Sequence, residues 1–429
     1  MKLGMSLWQI REAMRQIWFM AAAFCLAGVF TALAGAALDP YIPVALGDFA
    51  GIDAVGSLLE IIATSMLTVT VFSLNTLVSA TSSAAQNATP RAVSNLLQDR
   101  TAQGALATFL GAFLFSLVGL IALKSGLYGD GGRFVLFVVT LLLIVVIVVM
   151  LLRWISHLGS LGQVSNTIMQ VEQAAQLAMC SFRQTPLFGA HAFHDAPEDL
   201  TLIEHNHIGY LRFIDLAALN AVAEEVDADI YILERPGVFV TPGRFVAGLK
   251  LEGRKRPADE MIEKIRATFA LGPERSYDQD PLYGLTVLSQ IAMRAMSPGI
   301  NDPGTAIDVI NNLVRVLAVG REIKAETEPL HRHIHIMPLE PNAFFDAAFT
   351  GISRDGAGLI EVGIALQRAL KSLEHLPGAG YGKASRAYAE MALERAGRML
   401  EYESERERLA AIASERDPAR YAHLIADKD

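Results

Sequence analysis

Long apolar stretches alternate with short polar connections in the first third of the chain. A helix needs about 20 mostly apolar residues to cross the roughly 30 Å hydrocarbon core of a bilayer. Four stretches meet this requirement, at about residues 16–37, 57–79, 105–124 and 133–153. The pattern predicts four transmembrane helices, called span one to span four. Span one exceeds the apolar part of a signal peptide (about 7–15 residues) and no convincing cleavage site follows it.

The pattern changes after Trp154. Residues 156–181 have helical periodicity, and the predicted apolar side carries Ile168, Val171, Ala175 and Leu177. Alternating positions follow at about 200–252, interrupted by the Pro-Gly pairs 236–237 and 242–243. Short strands separated by such turns are typical of a small β-barrel or sandwich.

Helical periodicity then continues towards the C-terminus. It predicts helices at about 257–270, 281–296, 303–320, 341–353, 357–374 and 383–415. We therefore expect a membrane α-helical fold with a cytoplasmic α+β region, which contains a small β-rich module and a helical C-terminal part. The expected domains are a four-span domain (1–154), an amphipathic connecting helix and linker (155–199), the β-rich module (200–255) and a helical domain (256–429).

Basic residues predict the orientation of the spans. Most basic residues near the spans lie on the same side of the membrane as the N-terminus. They are Lys2, Arg11, Arg15, Arg91, Arg100 and Arg153. The loop Asp39–Asp53 contains none, whereas Lys124 and Arg133 near the second outer loop are a mild exception. By the positive-inside rule, both termini face the cytoplasm of a bacterial inner membrane.

Composition narrows the function classes. The chain is 52% hydrophobic and 19% charged, with a formal net charge of −9. This balance, without a basic stripe, argues against a nucleic-acid partner. The two cysteines are far apart and indicate no disulfide framework, which fits a reducing compartment. No Walker loop, dinucleotide fingerprint or nucleophile elbow is present, so neither a cofactor nor an enzymatic activity is predicted.

Span two differs from the others because it carries a line of polar residues. They follow one another at steps of three and four, and only Phe72 interrupts the series, which consists of Ser65, Thr68, Asn75, Ser79, Ser82 and Gln86. Such spacing aligns them on one helix face, called here the polar stripe. Two interpretations remain open, namely dry helix–helix packing and the wall of a pore in an oligomer. Glu60 is the one acidic residue within a predicted span.

Two motifs resemble those of a bacterial membrane-protein family of unknown function, the domain-of-unknown-function family 2254. The first is "SMLTVTVFSLNTLVSATSSAAQNATPRAVSNLLQDRTAQGALATFLGAFLFSLV" and the second is "RSYDQDPLYGLTVLSQIAMRAMSPGINDPGTAIDVI". The segments "GYLRFIDLAAL" and "RPGVFVTPGRFVAGL" between them fit the same family. The resemblance implies a membrane location and four spans, and it brings no established activity.

The second motif contains two Asp-Pro pairs that each precede a helical pattern. Asp280 and Asp302 are predicted helix N-caps, with proline at the first helical position. The segment "SPGI" between them predicts a chain reversal. In the alternative interpretation, Arg294, Asn301 and the free N–H groups at the helix starts bind an anionic ligand, although the two capping carboxylates would repel it.

The segment "HRHIHIM" places His331, His333 and His335 on one face if it forms a strand. Three aligned imidazoles are weak candidates for a transition-metal site, and an edge strand with basic ends is the alternative. No acidic or cysteine partner lies near them in sequence. We therefore predict no metal.

Two function classes follow. The first is a homo-oligomeric channel or transport-type protein, with the polar stripe near the axis and a cytoplasmic sensing domain for an unnamed ligand. The second is a non-conducting, membrane-anchored binding or scaffold protein. In both, the lipid bilayer is the predicted environment of the spans.

Overall fold

The computed structural model describes residues 4–14, 17–38, 52–92, 99–251, 257–326 and 328–414. Lys2, Arg15 and most of the Asp39–Asp53 loop lie outside these residues. The chain divides into two compact units. The membrane unit comprises Gln9–Gln86 and Pro90–Thr167, and the sheet–helix unit comprises Met1–Trp8, Asn87–Thr89 and Ile168–Asp429.

The membrane unit is helical because its apolar stretches satisfy every internal backbone group by helical hydrogen bonds. Its helices, together with the short N-terminal helix α1, are α1 (Met5–Met14), α2 (Ile17–Leu38), α3 (Ile52–Asn87), α4 (Arg100–Lys124) and α5 (Asp130–Leu158). Three of them, α3, α4 and α5, are long and apolar enough to cross a membrane. The pair Met5–Met14 and Phe19–Thr31, bent by 75°, makes a fourth candidate span.

Helix α4 is the inner helix of the membrane unit. Asp99 caps its start, since the carboxylate accepts hydrogen bonds from the N–H groups of Thr101 and Ala102. Small residues let α2 approach α4 closely, because a Cβ on Gly28 would lie 2.9 Å from the carbonyl oxygen of Gly111. Close approach through small residues is the usual means of helix association in lipid.

The sheet–helix unit begins with α6 and contains two sheets. The elements up to the second sheet are α6 (Val164–Gln184), β1 (His191–Ala192), β2 (Thr201–Glu204), β3 (Gly209–Ile214), α7 (Leu216–Val226), β4 (Ala228–Ile232), β5 (Phe239–Val240), β6 (Phe245–Leu251), α8 (Asp259–Arg266), β7 (Phe269–Gly272) and β8 (Ile334–Ile336). Among the described residues, one sheet has the order β1-β8-β4-β6-β2 and the other β5-β3-β7. Both contribute to one core with α7.

This sheet region differs from the predicted β-rich segment. Strands β1, β7 and β8 come from outside residues 200–252, and β8 pairs in parallel with both β1 and β4. The predicted helix at 257–270 ends at Arg266, and Phe269–Gly272 pairs with β3 instead. Cross-strand pairing and burial of Phe269 override the local helical pattern here.

The remaining helices follow the predicted order with one further break. They are α9 (Pro281–Ala295), α10 (Pro303–Ala318), α11 (Pro341–Asp355), α12 (Ile360–Glu374), α13 (Gly382–Met399) and α14 (Glu403–Ser414). The predicted helix at 383–415 is interrupted at Leu400, whose backbone is extended and whose carbonyl accepts a hydrogen bond from Arg406. The predicted helix at 156–181 is also divided, and Leu177, assigned to its apolar side, is 74% exposed.

Candidate functional site

The polar stripe lies on a face of α3 that the rest of the described chain leaves open. Thr68, Asn75, Ser79 and Ser82 are exposed, and Ser65 is half-buried. The buried face of α3 carries Ile62, Met66 and Leu77, which pack in one cluster with residues of α4 and α5. Packing among the described residues therefore leaves most of the stripe open.

Several stripe side chains hydrogen-bond within their own helix. The Ser65 hydroxyl donates to the Ile62 carbonyl at 3.2 Å, and the Thr68 hydroxyl donates to the Thr64 carbonyl at 3.0 Å. The Gln86 amide donates to Ser82 Oγ at 3.4 Å. Hydroxyls satisfied in this way tolerate an apolar neighbour, and they keep lone pairs that can accept from water or another helix.

A row of large aliphatic residues borders the stripe on the same exposed side. This row, called the aliphatic row, consists of Leu67, Val71, Leu74 and Val78. When Phe72, which interrupts it, is counted, the stripe repeats at alternating steps of three and four, the spacing of the contact positions in a left-handed coiled coil. One open side of α3 thus offers a lipid-compatible row next to a row suited to a second helix. Glu60, near the start of the same helix, is exposed.

In the sheet–helix unit, Asp280 is the centre of a buried polar network. Its carboxylate caps α9 by accepting from the N–H groups of Leu282 and Tyr283, both at 3.1 Å. It also accepts from Arg275, with Nε 2.7 Å from Oδ2 and Nη2 3.0 Å from Oδ1. Burial raises the pKa of Asp280, and Arg275 together with the two N–H groups acts in the opposite direction. Asp280 is therefore an ion-pair partner as well as a helix cap.

Gly237 of the first Pro-Gly turn lies against this carboxylate, and Arg235 comes two residues before it. Gly237 has a φ of +102°, and a Cβ there would lie 2.3 Å from Asp280 Oδ2. The Arg235 guanidinium donates to the carbonyls of Met337 and Pro186, at 2.7 and 2.9 Å. Burial lowers the pKa of Arg235 to about 10, against the attraction of Asp280. Arg235 therefore stays charged at neutral pH and links three segments of the unit.

Two residues just before Asp280, Ser276 and Gln279, make polar contacts that the sequence did not predict. Gln279 pairs with Ile214 through both ends of its amide, accepting from the Ile214 N–H at 2.8 Å and donating to the Ile214 carbonyl at 3.1 Å. The Ser276 hydroxyl donates to the Arg212 carbonyl at 3.3 Å. The one local signal is the run of polar residues "ERSYDQD" before a capped helix. Its partners come from β3, far away in sequence.

The loop between α9 and α10 is organised by its own backbone. The Asp302 N–H donates to the Ala295 carbonyl at 2.8 Å, and the Asn301 N–H donates to the Ser297 carbonyl at 2.9 Å. Asn301 has a φ of 52°, in the left-handed region that asparagine tolerates. The Arg294 carbonyl accepts from the N–H and hydroxyl of Ser297.

Asp302 is the N-cap of α10, and it differs from Asp280 in its surroundings. Its exposed carboxylate accepts from the Thr305 N–H at 3.1 Å and from the Thr305 hydroxyl at 2.6 Å. These two hydrogen bonds lower the pKa of Asp302. Each aspartate therefore caps its own helix, but only Asp280 is also held in an ion pair with Arg275. The Asp-Pro sequence is the same at both positions and does not indicate this difference.

The three histidines of "HRHIHIM" do not share one face. Strand β8 covers only Ile334–Ile336, and it lies inside the sheet rather than at its edge. His331 precedes the strand and is buried, whereas His333 and His335 approach Asp229 of β4, at 3.3 and 3.8 Å. Among the residues that the structure describes, no group of three or more His, Cys, Asp or Glu could hold a metal ion.

His335 belongs to a row of rings across the sheet. It stacks on Tyr231 with centroids 4.5 Å apart and an interplanar angle of 10°, and His191 lies 5.4 Å away on its other side. Burial lowers the pKa of His335, and the neighbouring His191 and His333 act in the same direction against the attraction of Asp229. The His335 imidazole is therefore neutral at neutral pH.

A cleft of about 460 Å³ opens beside α8 and β7. Polar and apolar side chains line it together, among them His205, His207, Glu263, Arg266 and Ile208. Burial lowers the pKa of His205 despite hydrogen bonds to His207 and Phe269 that favour its charged form. The volume falls within the range of about 300–1,000 Å³ that small-molecule sites occupy.

Apolar membrane-length helices joined to a folded unit of sheets and helices define a membrane protein with a substantial domain outside its spans. The chain belongs to the family described as "Predicted membrane protein (DUF2254)", which it matches over residues 14–372.

Its curated relatives include uncharacterized proteins of Mycobacterium bovis and Mycobacterium tuberculosis. Each is 29% identical over 277 residues, which cover 62% of this chain and 52% of the relative. The chain therefore spans about half the length of the curated relatives it matches. No solved structure matches it.

Proposed function

We propose that the protein is a homo-oligomeric channel or transport-type protein of the bacterial inner membrane, with the polar stripe of α3 near the symmetry axis. The observation that carries this proposal is the exposure of Thr68, Asn75, Ser79 and Ser82 on one face of a membrane-length helix. Polar side chains facing lipid are unfavourable, whereas a symmetric assembly covers or hydrates them. The proposal keeps four spans within residues 1–154, and its sheet region includes strands β1, β7 and β8 from outside residues 200–255.

The proposed topology has both termini and the sheet–helix unit in the cytoplasm. It rests on the distribution of Lys and Arg between the predicted loops. Reporter fusions after residue 429 and within residues 40–55 test it. We expect a C-terminal reporter that is active inside and a loop reporter that is active outside. A C-terminal reporter that is active only outside contradicts the topology.

The sheet–helix unit is the proposed sensing part. Its support is the cleft beside α8 and β7, which combines the charges of Glu263 and Arg266 with the apolar surface of Ile208. A small polar ligand with an apolar portion matches this lining. Asp280, Arg294, Asn301 and Asp302 act structurally in this proposal, as caps and turn residues around α9 and α10.

Water access to the stripe tests the conducting function. Single cysteines replace Ser65, Thr68 or Ser79 in a background with Cys25→Ser and Cys180→Ser. In membranes, we expect all three to react with a membrane-impermeant thiol reagent, because a conducting path is hydrated. Leu74→Cys in the aliphatic row is the matched control, and we expect it to react at least about tenfold more slowly. Equal protection at all four positions contradicts a conducting path.

The second candidate is a non-conducting, membrane-anchored binding or scaffold protein. It is favoured by the hydrogen bonds of Ser65 and Thr68 to carbonyls of their own helix, which satisfy the hydroxyl donors without water. In this case the stripe packs dry against another helix. The labelling series then shows protected stripe cysteines in an assembly that is still oligomeric.

A further inference from the structure

Helix α1 has two faces of different character. Leu7, Ile10 and Met14, at steps of three and four, form one face and are 53%, 55% and 54% exposed. Arg11, also exposed, borders this face. Ten residues make a helix of roughly 15 Å, half of what is needed to cross the hydrocarbon core of about 30 Å. Helix α1 is therefore too short to span a bilayer by itself.

The other face of α1 is already occupied within the sheet–helix unit. Trp8 is buried, and its indole N–H donates to Asp278 Oδ2 at 2.9 Å. The indole stacks on Phe213, with centroids 5.3 Å apart and an interplanar angle of 11°, and Arg212 lies 5.4 Å from the ring centroid. These contacts fix the rotation of the helix, so Leu7, Ile10 and Met14 remain on the open side.

We propose that the Leu7, Ile10 and Met14 face lies in the lipid–water interface of the bilayer. Helix α2 begins at Ile17, three residues after Met14, and its segment Phe19–Thr31 is bent by 75° from α1. With α2 crossing the bilayer as the proposed span one, a helix that meets it at such an angle runs close to the membrane plane. Its exposed apolar face is then at the depth of the lipid headgroups.

The chemistry of this face matches a lipid surface. Three large apolar side chains on one side and a basic residue at the border are the composition of an interfacial amphipathic helix. The aliphatic stem of Arg11 can stay with the apolar face while its guanidinium reaches a lipid phosphate. The partner assigned to this face is therefore the bilayer itself, with anionic headgroups beside Arg11.

Spin-label accessibility in the full-length protein tests the assignment. Leu7→Cys, Ile10→Cys and Met14→Cys are made singly in the background with Cys25→Ser and Cys180→Ser. The labelled proteins are placed in vesicles of phosphatidylethanolamine and phosphatidylglycerol. Gln9→Cys is the matched control, because Gln9 is exposed on the same helix but lies away from the apolar face. Collisions with oxygen report lipid, and collisions with a water-soluble nickel complex report water.

We expect the oxygen-to-nickel ratio to be several-fold higher at Leu7, Ile10 and Met14 than at Gln9. An equal ratio at all four positions means that the face is in water and overturns the proposal. Protection of the three positions from both reagents means that protein covers the face, and this also overturns it. The three sites are exposed and independent, so any two that give folded protein decide the question.

Discussion

The guanidinium of Arg275 donates two hydrogen bonds to the carboxylate of Asp280, at 2.7 and 3.0 Å, while that carboxylate caps α9. Only 2% of the Asp280 side chain is exposed, against 20% for Arg275. Removing one partner of a buried pair leaves the other charge uncompensated. Asp302 caps α10 from an exposed position and forms no ion pair with any of the described residues.

The first prediction separates these two aspartates. Asp280→Ala is expected to destabilise the protein by about 3–5 kcal/mol, the cost of breaking a buried ion pair. Asp302→Ala is expected to cost about 0.5–2 kcal/mol, the cost of losing a cap. Unfolding of the full chain in mild detergent measures both.

The asparagine variants are the control for this prediction. Asp302→Asn should be nearly silent, since asparagine caps about as well as aspartate. Asp280→Asn should remain clearly destabilising, because it removes the charge that faces Arg275. If both asparagine variants melt like the parent, the ion pair does not stabilise the fold and the distinction between the two aspartates is wrong.

The second prediction concerns two helical glycines. A Cβ on Gly284 in α9 would lie 2.3 Å from Ala175 Cβ in α6, whereas a Cβ on Gly397 in α13 would meet nothing within 4 Å. Gly284→Ala should therefore cost about 1–3 kcal/mol by overpacking. Gly397→Ala should add about 0.5–1 kcal/mol by lowering backbone entropy in the unfolded chain. Opposite shifts in melting temperature are expected, and a stabilising Gly284→Ala would contradict the close contact of α6 and α9.

The third prediction is a pH dependence through His335. Burial and two neighbouring histidines lower its folded-state pKa below the unfolded value of about 6.5. The unfolded state therefore binds the proton first as pH falls. The stability from neutral His335 is complete above about pH 6.5 and decreases at lower pH.

His335→Gln removes this titration, so its melting temperature should fall less than that of the parent between neutral and mildly acidic pH. His375→Gln, at an exposed position, is the control and should behave like the parent. The quantity to compare is the slope of melting temperature against pH. The melting temperature itself is not compared, because losing the stack on Tyr231 lowers stability at every pH. Parallel slopes for parent and His335→Gln would rule out the titration of His335 as a cause of acid sensitivity.

Local chemistry made the helices and their caps predictable. Asp280 and Asp302 cap helices because the Asp-Pro sequence itself supplies the acceptor and the residue without a donor. The apolar stretches likewise predicted membrane-length helices from composition alone. In each case the deciding interactions lie within a few residues, where the sequence displays them directly.

Long-range pairing made the sheets and the polar network unpredictable. Strands β1 and β8 have only two and three residues, and they exist because His191 and Ala192 pair with residues 335 and 336. The Gln279 side-chain amide hydrogen-bonds to the backbone of Ile214, which is 65 positions away in the sequence. The sequence also did not predict whether the polar stripe of α3 is buried within the chain or exposed. That depends on which face of α3 packs against α4, and the packed face carries Ile62, Met66 and Leu77.

The proposed function requires that the polar stripes of neighbouring copies of α3 face each other around the symmetry axis. Oxidative cross-linking in membranes tests it most directly, with single cysteines at Ser65, Thr68, Asn75, Ser79 or Ser82 in the background with Cys25→Ser and Cys180→Ser. Cysteines at Leu67, Val71, Leu74 and Val78 in the aliphatic row are the matched controls. We predict disulfide-linked dimers at the stripe positions and little product in the aliphatic row. Cross-linking that is strongest in the aliphatic row, or absent along the whole stripe, would show that the stripes do not face each other.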